Sequence, residues 1–282
     1  MTLTHRLIFI DGEANTGHQN MSNPDKNPAV GEADSQMPPK KVNFLDQVSL
    51  KVQFTKEVDG SVELADALYS RVNGTFPERG QLTHNILESN IVSPEKIEHK
   101  QHFLVLPNFL DSARAKQLYF EPAALVIRQR EYTTFDEFHD VLKTGINAFE
   151  QVYGTNTVKQ AELRYIFRVE LSGDPLKWKD LIKRELISLL EFPTKGSKIS
   201  RAMNLIELAR EGCNVRFQSG LWNRDYPQPV TKREFILDYA CYSTNECEIK
   251  QVPELADKFH TEIKSLFNHS VLTALKTRLG EI

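Results

Sequence analysis

The chain has 282 residues, of which 40% are hydrophobic and 26% charged, and its formal net charge is −3. This composition is typical of a globular protein and excludes collagen-like and wholly disordered chains. Because the charge is slightly negative, binding of nucleic acid would need a local basic patch rather than the whole molecule. No apolar stretch approaches the roughly 18 residues of a membrane-spanning helix, so no membrane partner is expected.

The cysteines predict a reducing environment. Cys213, Cys241 and Cys247 are odd in number and form no Cys-x-x-Cys pair, which supports neither a disulfide framework nor a structural zinc site. The sequence also has no Walker loop and no Gly-x-Gly-x-x-Gly fingerprint. The apolar run within residues 1–10 is too short for a signal peptide. We therefore predict a cytoplasmic protein with no cofactor and no metal.

The first segment differs in composition from the rest of the chain. Residues 11–41 are rich in Asn, Asp, Gly, Ser, Pro and Glu and almost lack large apolar side chains. Such a segment buries too little apolar surface to offset its ordering entropy. The sequence thus predicts a disordered tail over residues 1–41 and a single domain over residues 42–282. Translation could start at Met1 or at Met21.

In the first part of the predicted domain, apolar side chains alternate over residues 48–54, which indicates a strand. An apolar stripe from Val62 to Val72 predicts a helix. After a loop-rich stretch, three strands are expected at residues 102–106, 116–121 and 124–132. A capping box at Thr134 begins a second helix, which Gly154 ends.

The second part repeats this order of elements. A strictly alternating strand covers residues 161–171, and Asp174 followed by proline predicts a helix that lasts until Pro193. Two strands are expected at residues 214–222 and 234–242. The segment at residues 202–210 could be a strand or a short helix, and the last helical region opens at Pro253.

Each part therefore contains one strand, one helix, about three strands and a closing helix. We predict an α+β fold made of duplicated β-α-β-β-β-α halves, residues 42–156 and 157–282. Alternating strands are half-buried, which favours a largely antiparallel sheet with its helices on one face.

Four segments resemble, in their order, an uncharacterised prokaryotic family that is sporadically distributed among genomes. They are Leu45–Phe54, Tyr132–Phe138, Leu163–Arg168 and the closing residues 259–279. One departure is Phe167, where the resemblance leads us to expect asparagine. The resemblance implies no known activity. The patchy distribution of the family suggests that its genes lie in mobile or defence islands. This association with genomic islands does not indicate an activity.

The polar residues of the strands share one face, which we predict to be the binding surface. Arginine suits the bidentate capture of phosphate or carboxylate, and an aromatic ring beside it suits a nucleotide. The candidate binding residues are Lys51, Arg164, Arg168, Arg216, Trp222 and Asp238. The alternative is a solvated sheet face on which Glu162 and Glu170 neutralise Arg164 and Arg168.

Three functions remain open. The first is a non-enzymatic binding or regulatory protein that takes an anionic ligand or nucleic acid on the arginine-bearing face. The second is a subunit that pairs a sheet edge or a helix with a protein encoded nearby. The third is a nucleic-acid or nucleotide hydrolase, for which Glu162, Glu170 and Asp238 are the only carboxylates expected on one face. No catalytic residue is assigned, so enzymatic activity is left undecided and ranked lower.

Overall fold

A single antiparallel sheet of eleven strands organises the chain. The computed structural model describes residues 4–10, 44–93, 96–154, 157–193 and 195–279. The strands are β1 (Thr4–Ile10), β2 (Leu45–Phe54), β3 (Glu78–Ser93), β4 (Lys96–Leu110), β5 (Lys116–Glu121), β6 (Ala124–Gln129), β7 (Thr157–Leu171), β8 (Ala202–Arg210), β9 (Cys213–Leu221), β10 (Arg233–Ser243) and β11 (Cys247–Glu248).

The sheet is built outward from a central pair of strands, β2 and β7. Its order is β1-β3-β4-β5-β6-β2-β7-β10-β9-β8, and the short β11 pairs with β7 off this path. On each side of the central pair, the following strands lie in the reverse of their chain order. The mixed composition of helix and antiparallel sheet confirms the predicted α+β class.

Five α-helices and two short 3₁₀ helices complete the described secondary structure. They are α1 (Val62–Val72), α2 (Phe135–Tyr153), α3 (Arg184–Ile187), α4 (Val252–Ser270) and α5 (Thr273–Leu279), with 3₁₀ helices at Ser188–Glu191 and Ile249–Gln251. Among the described residues, no helix has the length and apolarity needed to cross a membrane.

Helix α2 begins and ends at the residues that the sequence predicted. The Thr134 hydroxyl accepts a hydrogen bond from the Glu137 backbone N–H at 3.3 Å, which satisfies one of the free donors of the first turn. At the other end Gly154 has a φ of 77°, and its N–H donates to the Glu150 carbonyl. A left-handed residue of this kind favours glycine.

Strand β7 shows how the sheet acquires two different faces. Its odd-numbered residues from Leu163 to Val169 are fully or nearly fully buried, and the ring of Phe167 lies 5.0 Å from that of Phe267 on α4. Its even-numbered residues from Gln160 to Arg168 are only partly buried. We call this second face, formed by the even-numbered residues of β7 and their neighbours on β2, β9 and β10, the open face. The period of two in the sequence therefore predicted the burial of β7.

Three strands lie where the sequence predicted none: β1, β3 and the two-residue β11. Strand β1 falls within the predicted tail and pairs over seven residues with β3. Residues 11–43, which make up most of that tail, lie outside the described residues. Strand β3 itself covers the segment that we expected to be loop-rich, and it pairs along its length with β4. The strand state here depends on pairing partners rather than on local propensity, which carries little information on its own.

The helix predicted from Asp174 to Pro193 is wrong over most of its length. The Asp174 side chain accepts from the Leu176 N–H at 2.9 Å, which closes a turn rather than starting a helix. Further on, Lys183 N–H donates to the Ser270 carbonyl, and Leu272 N–H donates to the Leu181 carbonyl. These contacts with the end of α4 replace the intrahelical hydrogen bonds and leave only α3 and a 3₁₀ turn.

Candidate functional site

A cleft of about 380 Å³ opens at the centre of the open face. It lies over the central strands β2 and β7, with walls from β5, β6 and β9. Its charged lining consists of Lys51, Glu121, Glu162, Arg164 and Arg216. Three cations against two anions give this lining a formal charge of +1. The cleft falls in the range of volumes that hold small ligands.

Uncharged polar groups make up most of the remaining wall of the cleft. They are Gln47, Ser49, Gln53, Tyr119 and Gln160. Strand β2 supplies three of these groups from its odd-numbered residues, since its even-numbered residues from Val48 to Phe54 are buried on the opposite side of the sheet. Carboxamides both donate and accept hydrogen bonds, so the wall can contact the polar parts of a ligand while the cations contact its charge.

Arg164 forms the best-defined interaction at the cleft. Its Nε donates to Asp238 Oδ1 at 2.8 Å and its Nη2 donates to Oδ2 at 2.6 Å, which is a bidentate pair between β7 and β10. The hydrogen bond to Asp238 is the main cause that raises the pKa of the Arg164 guanidinium. The Asp238 side chain is 11% exposed and that of Arg164 is 36% exposed. The pair therefore fixes the orientation of an arginine that still reaches solvent.

The two other cations of the cleft are also matched by carboxylates. Arg216 Nη2 lies 3.4 Å from Glu162 Oε2, and Lys51 Nζ donates to Glu121 Oε2 at 2.5 Å. The Arg216 contact is long for a charged hydrogen bond, so this guanidinium is held less firmly than Arg164. The Glu162 pair agrees with the alternative of a salt-bridged sheet face. Its partner is Arg216, however, and not Arg164 or Arg168 as the sequence predicted.

Arg168 lies on the same face but outside the cleft. Its Nη1 donates to Glu234 Oε1 at 2.5 Å, and its Nη2 lies 3.7 Å from Asp46 Oδ2. Glu234 is almost fully buried and also lies 4.0 Å from Arg224. Arg164 and Arg168 therefore have separate carboxylate partners, and only Arg164 lines the cleft.

Trp222 is likewise separate from the cleft. It follows β9 and is 45% exposed, and its ring centroid lies 4.4 Å from the guanidinium of Arg201. The ring of Tyr226 lies at the same distance from Arg201, so the two aromatic residues both contact one guanidinium. Of the six predicted binding residues, three line the cleft: Lys51, Arg164 and Arg216. Asp238 does not line it but is bound to Arg164. Arg168 and Trp222 lie outside the cleft.

The chain has no match among known protein families, and no curated protein matches its sequence. The resemblance to a sporadically distributed family thus stays a prediction. Phe167, where that resemblance leads us to expect asparagine, is almost fully buried against α4 and does not line the cleft.

Three acids at this face were missed in the sequence. Asp46 contacts Arg168 beside a register shift of β2 between Leu45 and Gln47. Glu234 shares the parity of Asp238 on β10, so the same alternation could have placed it on the open face. Glu121 could not be found in this way, because only the pairing of β5 with β6 brings it near β2. Within the part of the chain that the structure describes, no three His, Cys, Asp or Glu side chains are grouped so as to hold a metal ion.

Proposed function

We propose that this protein is a non-enzymatic binding protein whose cleft on the open face takes a small anionic ligand. The observation that carries the proposal is the orientation of Arg164 by Asp238 at the wall of the cleft. A guanidinium held by a bidentate pair loses little further conformational entropy when a ligand binds. In the described residues, Nη1 of Arg164 has no hydrogen-bond partner and remains a donor.

The lining of the cleft favours an anion over a cation. Its five charged side chains sum to +1, and the Arg216–Glu162 contact is long enough to be exchanged for a ligand oxygen. Glu162 would still repel a second negative charge, so we expect modest affinity. A monoanionic or dianionic group joined to a polar body fits these features best, and a nucleotide is the probe that combines both.

The geometry gives less support to a hydrolase. Each of the three carboxylates expected to serve one is near an arginine: Glu162 near Arg216, Glu170 near Arg224, and Asp238 bound to Arg164. A carboxylate whose oxygens are engaged with a guanidinium is a poor general base, because fewer of its lone pairs are free to accept a proton from water or substrate. We therefore do not favour that function.

Calorimetric titration at low salt tests the proposal with three probes: AMP, inorganic phosphate and a short single-stranded oligonucleotide. We expect AMP to bind, and its affinity to fall when salt is raised to the physiological range. Oligonucleotide binding with a steep salt dependence would instead favour a nucleic-acid surface. If none of the probes binds at low salt, the proposal is wrong.

The variants Arg164→Gln and Arg216→Gln locate the site, and Arg168→Gln is the matched control. Arg168 is on the same strand and the same face as Arg164 and is also paired with a carboxylate, but it lies outside the cleft. We expect AMP affinity to be lost in the first two variants and kept in the third. Equal losses in all three would place the ligand elsewhere on the face.

We also propose that the two halves of the domain arose by duplication. The support is the strand order, in which β2 and β7, the first strands of the two predicted halves, lie side by side at the centre of the sheet. In each half, the later strands then follow outward in reverse chain order.

The free thiols of Cys213, Cys241 and Cys247 support the proposed cytoplasmic location.

A further inference from the structure

Strand β8 forms one edge of the sheet and leaves apolar side chains exposed. It pairs with β9 on one side, and among the described residues no strand pairs with its other side. Leu205 is 60% exposed and Ile206 is 40% exposed. The pairing with β9 has no register shift, and the strand contains no proline. Bulges and prolines are features that normally protect a sheet edge against pairing with another strand. Because β8 has neither, this edge is able to accept another strand.

The sequence of β8, together with Arg201 just before it, is complementary to itself in one antiparallel register. Directly opposed residues share a face, so the two-fold axis must lie between the two copies of one residue. When the axis lies between the two copies of Asn204, a charged pair forms at each end and apolar residues meet between them. The opposed residues are then Arg201 with Glu207, Ala202 with Ile206, and Met203 with Leu205.

Neighbouring registers lack this match. An axis at Leu205 opposes Met203 to Glu207, and an axis at Ile206 opposes Leu205 to Glu207. An axis at Glu207 places the two copies of that carboxylate opposite each other, which is destabilising. The Asn204 register is thus the one in which both charges and both exposed apolar side chains find suitable partners.

We propose that a second copy of this chain pairs with β8, antiparallel and centred on Asn204, so that one sheet continues through both molecules. Arg201 is prepared for this contact, because Trp222 and Tyr226 both lie against its guanidinium. The aromatic contacts restrain the side chain before it meets Glu207 of the second copy. The role of Trp222 is then in association rather than in the cleft.

Only about seven residues of each copy overlap in this register, so the dimer should be weak and concentration-dependent. Sedimentation equilibrium of the full chain over a range of concentrations measures it. We expect Glu207→Arg to raise the dissociation constant about tenfold, since two symmetric pairs become repulsive. The matched control is Glu211→Arg, an exposed acid just beyond β8 that meets no residue in this register, and it should leave the constant unchanged.

Disulfide cross-linking tests the proposed register of the two β8 strands. In a Cys247→Ser background, Asn204→Cys should form a disulfide-linked dimer under mild oxidation, because directly opposed Cα atoms are about 4.5–5.5 Å apart. Leu208→Cys is the control, since the two copies of that residue would lie roughly 26 Å apart by strand rise. A parent that stays monomeric at every concentration, with no Asn204→Cys cross-link, would overturn the proposal. Preferential cross-linking of Leu208→Cys would overturn it as well.

Discussion

Arg164 and Asp238 form a bidentate ion pair between adjacent strands, with Nε–Oδ1 and Nη2–Oδ2 distances of 2.8 and 2.6 Å. They are not directly opposed, because Asp238 lies across from Ile166 and Arg164 lies across from Ala240. The long guanidinium reaches diagonally to the carboxylate, as such side chains can on one face of a sheet. The pair ties β7 to β10 beneath the side wall of the cleft, so stability and ligand binding both depend on Arg164.

Replacement of Arg164 by glutamine should therefore destabilise the fold. Its loss leaves the nearly buried Asp238 without its charged donors, which costs about 1–3 kcal/mol. The double variant Arg164→Gln with Asp238→Asn should lose less than the sum of the single variants, because the amides can bond to each other. Urea unfolding measures all three. Additive losses would show that the two side chains do not interact energetically.

Phe167 should be among the most sensitive core positions. It is 2% exposed, and its ring lies near those of Phe267 and Tyr239. Phe167→Ala should reduce the free energy of unfolding by about 3–5 kcal/mol, and Phe167→Asp should abolish soluble expression. Ile166→Ala, one residue along on the open face, is the control and should cost clearly less. Equal effects at the two positions would contradict the assignment of faces.

His260 should make the protein less stable in mild acid. Burial lowers its pKa to about 4, with Lys264 adding to the shift, while the unfolded value is about 6.5. Between these values the unfolded chain binds more protons, so stability is complete above pH 6.5 and falls as the pH drops towards 4. The ring lies 4.0 Å from that of Phe135, and its Nδ1 is 3.0 Å from the Tyr165 hydroxyl.

The test for His260 is urea unfolding between pH 4 and 7. The variant His260→Gln keeps a polar group near Tyr165 but cannot gain a proton in this range. Its stability should change less with pH than that of the parent. Identical slopes would mean that other groups cause the acid sensitivity.

Gly220 should not tolerate a side chain. It lies in β9 with a φ of 145°, and a Cβ atom there would overlap the Ala202 carbonyl oxygen of β8. Gly220 and Ala202 both lie in paired strands, so neither backbone can move away cheaply. Gly220→Ala should therefore reduce the free energy of unfolding by about 2–4 kcal/mol. Gly74→Ala, where a Cβ would meet no atom within 4 Å, should be close to neutral. Thermal unfolding of both variants compares them directly.

Residue patterns along the chain predicted the elements whose stability is local. The apolar stripe and capping residues of α2 define that helix at both ends, and α1 and β5 also have the bounds that the sequence indicated. The alternation in β7 predicted which of its side chains from Ala161 to Val169 are buried. The positions of Arg164 in β7 and Asp238 in β10 predicted that both lie on the polar face. These predictions succeed because the apolar residues that a helix or strand buries recur along the chain with the period of that element.

Tertiary contacts decided the remainder. β1 and β3 are strands because they find pairing partners, and the segment after Asp174 fails to form a long helix because its backbone bonds instead to the end of α4. The choice between a shared anion site and separate salt bridges for Arg164 and Arg168 depended on the strands beside β7. By itself the sequence determined which side chains share a face, since that follows from local geometry. Only the sheet order determined which charges meet, because residues 70 or more positions apart become neighbours through pairing alone.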